Sequence, residues 1–365
     1  SVQQAIISLP PQIPHVAVFG SSGSGKSSCF ANVWLMTCSD CMVTLDAKAE
    51  LAMKTARLRA TRFGHKVIVI DPFGISNGCG FEPMSYNPLD CYHGQEERIV
   101  DEARRMANAL VVRTGEERDR FWNDSSVVVI TLVLAFLMSE ANREDANLNR
   151  LRDIVTSPHL MEQLLQYCEK SDACFGMLAR MAGQVRFFQG QTGASIFSVV
   201  NSHLSFLDSM SIAQCLAESN FDPRELLNGK VSIYLCLPID RVTEMAALQR
   251  ILLSSLLNLV FEGGEQRDRQ TRFILDEAAT LGEMDALYNS LNFGRSFSIR
   301  LAFLFQSVSQ IQRCFPESKA ADFKGTVASV FCGVNDLETA KEVFSYWAER
   351  SGDSDCSSDL LRTEN

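Results

Sequence analysis

The sequence predicts an α/β fold: a mainly parallel sheet whose run of strands is interrupted by an all-α domain. Three observations predict it. Short apolar segments that read as strands come in two batches, three before residue 92 and four after residue 217. From about Gln95 to about Ala217 the pattern is helical, with no convincing strand. In the first batch strands alternate with helical stretches at short spacing, which implies parallel strands joined by crossovers. Seven strands around one helical block describe one interrupted sheet, not two domains in tandem. The expected division is residues 1–92 for the first part of the α/β domain and 93–217 for the all-α domain. Residues 218–350 complete the α/β domain, and 351–365 form a polar, mobile tail.

The elements follow in chain order. HVAVF (His15–Phe19) is a brief buried strand that stops at a Gly-rich turn. CMVTLD (Cys41–Asp46) and KVIVID (Lys66–Asp71) are two more, each ending in Asp. Between them Ala49–Arg62 reads as a helix, with Leu51, Thr55, Leu58 and Arg62 on successive turns and Gly64 to end it. A Pro/Gly-rich stretch runs from Pro72 through YNPLD (Tyr86–Asp90). The helical block contains Arg98–Val112, Arg120–Met138, His159–Lys170, Cys174–Phe188 and Ala194–Leu207. Strands resume at VSIYLCLP (Val231–Pro238), followed by RFILDE (Arg272–Glu277), RLAFLFQ (Arg300–Gln306) and TVASVFCG (Thr326–Gly333).

Composition bounds the function. With 365 residues, 46% of them hydrophobic and 21% charged, the chain can bury a large core and is not disordered. A net charge of −10 argues against nonspecific coating of DNA, although a narrow basic channel inside an oligomer stays open. The twelve cysteines mostly sit in apolar runs, which suits buried thiols in a reducing cytoplasm. Cys38 and Cys41 form a C-x-x-C with no second close pair, so a metal or redox role stands beside two incidental thiols. The apolar runs Val127–Met138 and Ile251–Phe261 are too short to span a membrane and read as buried helices. Ser1 in place of Met, with no signal peptide, reads as an excised cytoplasmic fragment.

The strongest motif is Gly20-Ser21-Ser22-Gly23-Ser24-Gly25-Lys26-Ser27, followed by Ser28. It matches G-x-x-x-x-G-K-S/T and lies between a strand and a helix, where backbone N–H groups and a helix N-terminus cradle phosphates. Lys26 is expected on the β- and γ-phosphates and Ser27 on Mg²⁺, so ATP and Mg²⁺ are the expected cofactors. RFILDE places Asp276 and Glu277 at the same sheet edge. Asp276 would hold the magnesium shell and Glu277 would polarise the attacking water, or the pair caps the next helix. Lys26 and Asp276 are expected to meet across adjacent strand tips. Gln306 ends the next strand and reaches either the γ-phosphate or a simple cap. Arg295, within NFGRSFS, is a candidate arginine finger for a neighbouring subunit, with Arg300 competing and a plain surface charge the alternative. Asp46 and Asp71 also end strands, where they position Mg²⁺ or Lys26, or cap helices.

Nearly the whole chain resembles the type IV secretion coupling proteins, the TraG/TraD-type ATPases of bacterial conjugation. The resemblance rests on GSSGSGKSS (Gly20–Ser28), LDAKAELAMKTARLR (Leu45–Arg59), VIVIDPFG (Val67–Gly74) with YNPLD, and the Phe121–Trp122 pair. It continues through ILDEAATLGEM (Ile274–Met284), GRSFSIRLAFLFQSVSQI (Gly294–Ile311) and the ND-x-x-TA stretch at Asn335–Ala340. Ala47 and Ala49 stand where the family's second block has Pro and Gly, and the helical block carries no visible basic excess.

The resemblance implies a RecA-like P-loop NTPase domain carrying an all-α domain that faces the cytoplasm and contacts substrate. It implies a homo-hexamer at the bacterial inner membrane, held by an N-terminal anchor that this sequence lacks. The implied cargo is relaxase-bound single-stranded DNA, effector proteins or both, passed to the secretion channel with or without adaptor proteins. On matching positions, Lys26 and Ser27 are the phosphate and Mg²⁺ residues and Asp276 and Glu277 the Walker B pair. Arg295 and Gln306 match the family's arginine and strand-end glutamine. Two other readings remain: a hexameric DNA translocase of the FtsK/HerA sort, and a substrate-receptor platform in which nucleotide mainly holds the ring together.

Overall fold

The structure is a computed structural model that describes residues 14–92, 96–113, 119–238, 241–265, 270–333 and 336–351. The expected tail beyond Ser351, and Asn335 of the ND-x-x-TA stretch, lie outside the described residues.

Seven strands form one sheet: β1 (His15–Phe19), β2 (Cys41–Leu45), β3 (Lys66–Ile70), β4 (Val231–Leu235), β5 (Thr271–Leu275), β6 (Ile299–Phe305) and β7 (Val327–Phe331). Their order is β3-β4-β2-β5-β6-β1-β7, and every neighbouring pair is parallel. The α/β expectation and the strand count hold. β1 matches its expected stretch, and each of the other strands ends a little short of the apolar stretch that announces it. The N–H of Asp46 still bonds to Leu235 O (2.9 Å) and that of Asp276 to Leu45 O (3.2 Å), after which the chain leaves the ladder. Both carboxylates are thereby left at the C-terminal edge.

An all-parallel sheet needs cover on both faces, because its connections put helices there. Alternate residues accordingly enter two apolar clusters. Val16, Val18, Met42, Val69 and Ile274 join Leu35 of α1 (Asn32–Thr37) and Leu51, Ala52 and Ala56 of α2 (Glu50–Phe63). Phe19, Val43, Ile68, Ile233, Phe273 and Phe303 belong to the other cluster. That cluster runs without a break into the helices between β3 and β4, so the helical region stands on one sheet face with a shared core.

Those helices are α3 (Ile99–Leu110), α4 (Phe121–Ser139), α5 (Leu148–Thr156), α6 (Pro158–Cys168), α7 (Met177–Arg186), α8 (Gly190–His203) and α9 (Met210–Leu216). The expected helix Cys174–Phe188 is shorter, because Cys174, Phe175 and Gly176 have φ of 51°, 58° and 73° and delay α7 to Met177. Helix α6 starts at Pro158, one residue before the expected His159, with Ser157 Oγ accepting from Leu160 N at 3.3 Å. After β4 come α10 (Val242–Glu262), α11 (Asp285–Phe293), α12 (Ile311–Cys314), α13 (Glu317–Thr326) and α14 (Leu337–Ser351).

Helices α4 and α10 extend past the apolar runs first noticed, far enough that each is long and apolar enough to cross a membrane. Both are mostly buried inside the fold, so their apolar surface is already covered by protein. Length excluded nothing here. Burial decides it.

Candidate functional site

The chain leaves β1 at Phe19 and turns over the sheet edge as Gly20–Ser27. Gly20 N donates to Phe305 O at 3.1 Å, and Cys332 N, just past β7, donates to Phe19 O at 2.7 Å. A Cβ on Gly20 would lie 2.1 Å from Cys332 O and 2.5 Å from Ser24 Oγ, so the position has no room for a side chain. Gly23 and Gly25 have φ of 79° and 90°, the left-handed region that glycine enters without steric cost. One turn of π-helix over Ser27–Ala31 then leads into α1. Ser22, Gly23 and Ser28 are exposed, whereas Ser24 Oγ is buried without a hydrogen-bond partner.

Lys26 is buried, and its Nζ donates to Gly20 O and to Ser21 O, the latter at 3.0 Å. Burial lowers the Lys26 pKa, while the negative charges of Glu277 and Asp276 oppose that shift. Ser27 Oγ donates to Asp276 Oδ1 at 3.3 Å. Burial pushes Asp276 up to about 6, with the neighbouring Glu277 charge second, against the pull of Ser27, Lys26 and Lys48. Gln306 Nε2 donates to Glu277 Oε2 at 2.9 Å. Glu277 itself has φ of 56°, a left-handed backbone that is costly for a residue with a side chain.

The expectation of adjacent strand tips needs correction. β6 lies between β1 and β5, so the strand bearing the P-loop and the strand ending in Asp276 are not neighbours. The gap is closed from above the sheet: the loop and its first helical turn carry Ser27 to Asp276. The intervening tip of β6 supplies Gln306. Parallel order cannot be read from strand sequence, because any strand with both faces buried is equally apolar.

The two aspartates of the first batch separate. Asp46, on β2 beside β5, is fully buried; its Oδ2 accepts from Ala52 N at 2.8 Å and its Oδ1 has no partner. Burial raises it to about 6, with the Asp276 charge adding to the shift. Asp71 ends edge strand β3, three strands from β5, and is spent on its own loop, accepting from Phe73 N (3.1 Å) and from Ser76 N and Oγ (both 2.6 Å). Asp71 thus braces a loop and caps no helix, and the helix-capping alternative fits Asp46, which accepts from the first turn of α2. Ala49 sits at φ 55° and starts α2, so the alanine keeps the left-handed turn for which a glycine would be the easier residue.

Arg295 and Arg300 are not in this chain's site. Arg295 is exposed in the turn before β6, and Arg300 is the second residue of that strand, so both lie at the opposite, N-terminal edge. Burial lowers the Arg300 pKa, helped by the positive charges of Arg272 and Arg295. Cys38 Sγ donates to Asp40 Oδ2 (2.9 Å) and Cys41 Sγ to Leu226 O (3.3 Å), so the two thiols have separate partners. Among the described residues no group of His, Cys, Asp or Glu is arranged to hold a metal.

Sequence reasoning missed two parts of the site. Lys48 acts electrostatically on both Lys26 and Asp276, and Cys332–Gly333 walls the loop from β7, with Gly333's Cβ position 3.3 Å from Ser24 Cβ. The available signal was positional: in a parallel sheet every strand delivers its next residues to the same edge.

The family described as type IV secretory system conjugative DNA transfer matches residues 5–353 of the chain. The conjugal transfer protein TraG of Rhizobium radiobacter is 27% identical over 347 residues, covering 93% of this chain and 52% of that protein. The type IV secretion system-coupling protein VirD4 of Bartonella quintana is 23% identical over 348 residues, covering 93% and 53%. The chain therefore spans about half the length of these curated relatives. The plasmid coupling protein TrwB superposes with a TM-score of 0.64 at 16% identity, over 87% of this chain and 69% of that one, which shows the same fold. With a match across nearly all of its residues, the chain belongs to the type IV secretory system conjugative DNA transfer family.

Proposed function

We propose that the chain is the ATP-hydrolysing motor of a coupling protein that recruits a relaxase–DNA complex, effector proteins or both, and delivers them to a type IV secretion channel. The observation that carries the reading is the contact between Ser27 and Asp276, with Lys26 buried beside it. A P-loop hydroxyl and a strand-end carboxylate brought together from 249 residues apart form the oxygen pair that a hard divalent ion takes. The residues present fit the nucleotide as well. Ser24 Oγ and Asp46 Oδ1 are buried polar atoms without protein partners, and Gly20 leaves no space that a side chain could occupy. TrwB, whose fold this chain shares, has been solved with ADP and Mg²⁺ and with non-hydrolysable ATP and GTP analogues, which supports the same ligand class here.

In this reading the backbone N–H groups of Gly20–Ser28 and the ammonium of Lys26 hold the phosphates, and Ser27 and Asp276 hold Mg²⁺. The bound ion neutralises charge on the transferred phosphoryl group. Glu277 accepts the proton of the attacking water, and Gln306 fixes that carboxylate by donating to its Oε2. Residues 1–92 and 218–350 form the motor. Residues 93–217 form the substrate-facing all-α domain. Arg295, on the far edge, is available to a neighbouring subunit of a homo-hexamer on the cytoplasmic face of the inner membrane.

Glu277→Gln tests the assignment. The variant should bind a fluorescent ATP analogue like wild type and hydrolyse ATP about 10²–10⁴-fold more slowly. Unchanged turnover removes Glu277 from the chemistry. In cells, the full-length variant should trap cargo for identification. Relaxase with single-stranded DNA, or secreted proteins, then decides the substrate class.

A further inference from the structure

We propose that Arg250 is a positioning residue for hydrolysis, tying the C-terminal end of α3 to the segment that follows Glu277 so that the helical region and the catalytic carboxylate move together. The inference rests on the hydrolytic reading above. Arg250 lies in the middle of α10 and is 3% exposed. Its guanidinium makes four hydrogen bonds, all to main-chain carbonyls. Nε donates to Ala109 O (2.8 Å) and Nη2 to Asn108 O (3.2 Å), in the last turn of α3. Nη1 donates to Leu281 O (2.8 Å) and Glu283 O (2.6 Å), on either side of Gly282.

Each half of this bridge has a physical reason. The last carbonyls of a helix have no partner within it and carry the negative end of its dipole, so a buried cation satisfies both needs. Gly282 has φ of 63° and ψ of −165°, a conformation essentially restricted to glycine, which turns the Leu281 and Glu283 carbonyls toward the same guanidinium. Burial lowers Arg250 to about 10, and the negative charges of Asp285 and Glu283 oppose that shift through space. A buried charge whose hydrogen bonds go to carbonyls is expensive compared with a packed apolar residue, so stability alone gives no reason for arginine here.

The bridge reaches the backbone of Glu277, from which the carboxylate hangs, in few steps. Neighbouring Gln249 Oε1 accepts from Thr280 Oγ1 at 3.1 Å, and Thr280 N donates to Glu277 O at 3.0 Å. Cys314 Sγ donates to Ala278 O at 3.1 Å. The left-handed backbone of Glu277 persists only while anchors of this kind over-determine it. A cleft of about 570 Å³ opens beside Arg250 between α3, α4, α10 and α11, and gives the end of α3 room to shift. The cleft's Arg105 pairs with Glu102 and its Arg113 with Asp124, whereas the hydrogen bonds of the Arg250 guanidinium go to the carbonyls it joins.

The test compares the wild-type chain with Arg250→Gln, Arg250→Lys and Thr280→Val. Readouts are affinity for a fluorescent ATP analogue, kcat, thermal unfolding and amide hydrogen exchange at residues 108–113 and 278–283. Arg250→Gln should keep the nucleotide Kd within about twofold while kcat falls at least about tenfold, with faster exchange in both segments together. Arg250→Lys, retaining the charge but not the fork, should give an intermediate kcat. Thr280→Val removes the second anchor without burying a charge, and should lower kcat at unchanged Kd in a fully folded chain. It decides the matter if Arg250→Gln does not fold. A folded Arg250→Gln or Thr280→Val with wild-type kcat overturns the inference, as does exchange that quickens in only one segment. Absence of turnover in the wild type removes the hydrolytic reading itself, and this inference with it.

Discussion

Gly20→Ala is the sharpest test of how the loop is built. The added Cβ would stand 2.1 Å from Cys332 O, more than 1 Å inside ordinary contact, and 2.5 Å from Ser24 Oγ. The serine hydroxyl can rotate away. The carbonyl cannot, because the β7 end is held to β1 through Cys332 N to Phe19 O at 2.7 Å. Gly20 itself is held by its N–H to Phe305 O on β6. Either the loop or the end of β7 must therefore shift by roughly 1 Å. Overpacking of this kind costs about 1–3 kcal/mol, and a 1 Å misplacement of reacting groups costs about 10² in rate. Gly23→Ala is the control: nothing lies within 4 Å of its Cβ position, so its only penalty is the φ of 79°. Urea unfolding and titration with a fluorescent ATP analogue should show Gly20→Ala destabilised by about 1–3 kcal/mol and binding at least about tenfold more weakly. Gly23→Ala should lose stability without a comparable loss of binding. Equal binding losses in the two variants, or none in Gly20→Ala, would refute the packing argument.

Lys26→Ala should lower ATP turnover by about 10² or more, measured as phosphate release, since charge stabilisation at the γ-phosphate is lost. Asp46 should leave a signature in the pH dependence of stability. Burial raises it from 3.8 to about 6, so the folded chain keeps a proton that the unfolded chain has released; stability falls as pH rises through that window. At pH 7 the full penalty, on the order of 2–3 kcal/mol, is present, so Asp46→Asn should be more stable there and flatter between about pH 4 and 6. A wild-type slope in urea titrations of that variant contradicts the burial argument. Arg295→Ala should lower activity without changing the unfolding curve, and wild-type activity should rise steeply with protein concentration. Concentration-independent turnover excludes a shared site.

Much of the candidate site was legible because its parts are local. Gly20–Ser27 announces a phosphate loop through spacing alone, since the motif and its required setting between a strand and a helix lie within a dozen residues. Asp276, Glu277 and Gln306 were found as polar residues closing apolar strands, a pattern with a reason in a parallel sheet. The same pattern also selected Asp71, which the fold spends on Phe73 and Ser76. Sequence could not separate it from Asp46. Two strand-end aspartates look alike until strand order puts one beside β5 and the other at the edge.

What the sequence determined by itself was the α/β class, the seven strands, the helical block between them and the glycine-spaced turn that follows β1. Periodicity, glycine spacing and strand-end polarity are properties of contiguous residues. Tertiary structure alone decided that β6 separates β1 from β5, that Asp46 stands next to Asp276, and that Arg250 joins α3 to the segment beyond Glu277. Each of these joins residues far apart in the chain through backbone pairing or carbonyl hydrogen bonds. Such contacts leave no mark on residue type, because every residue offers the same carbonyl and every central strand the same apolar face.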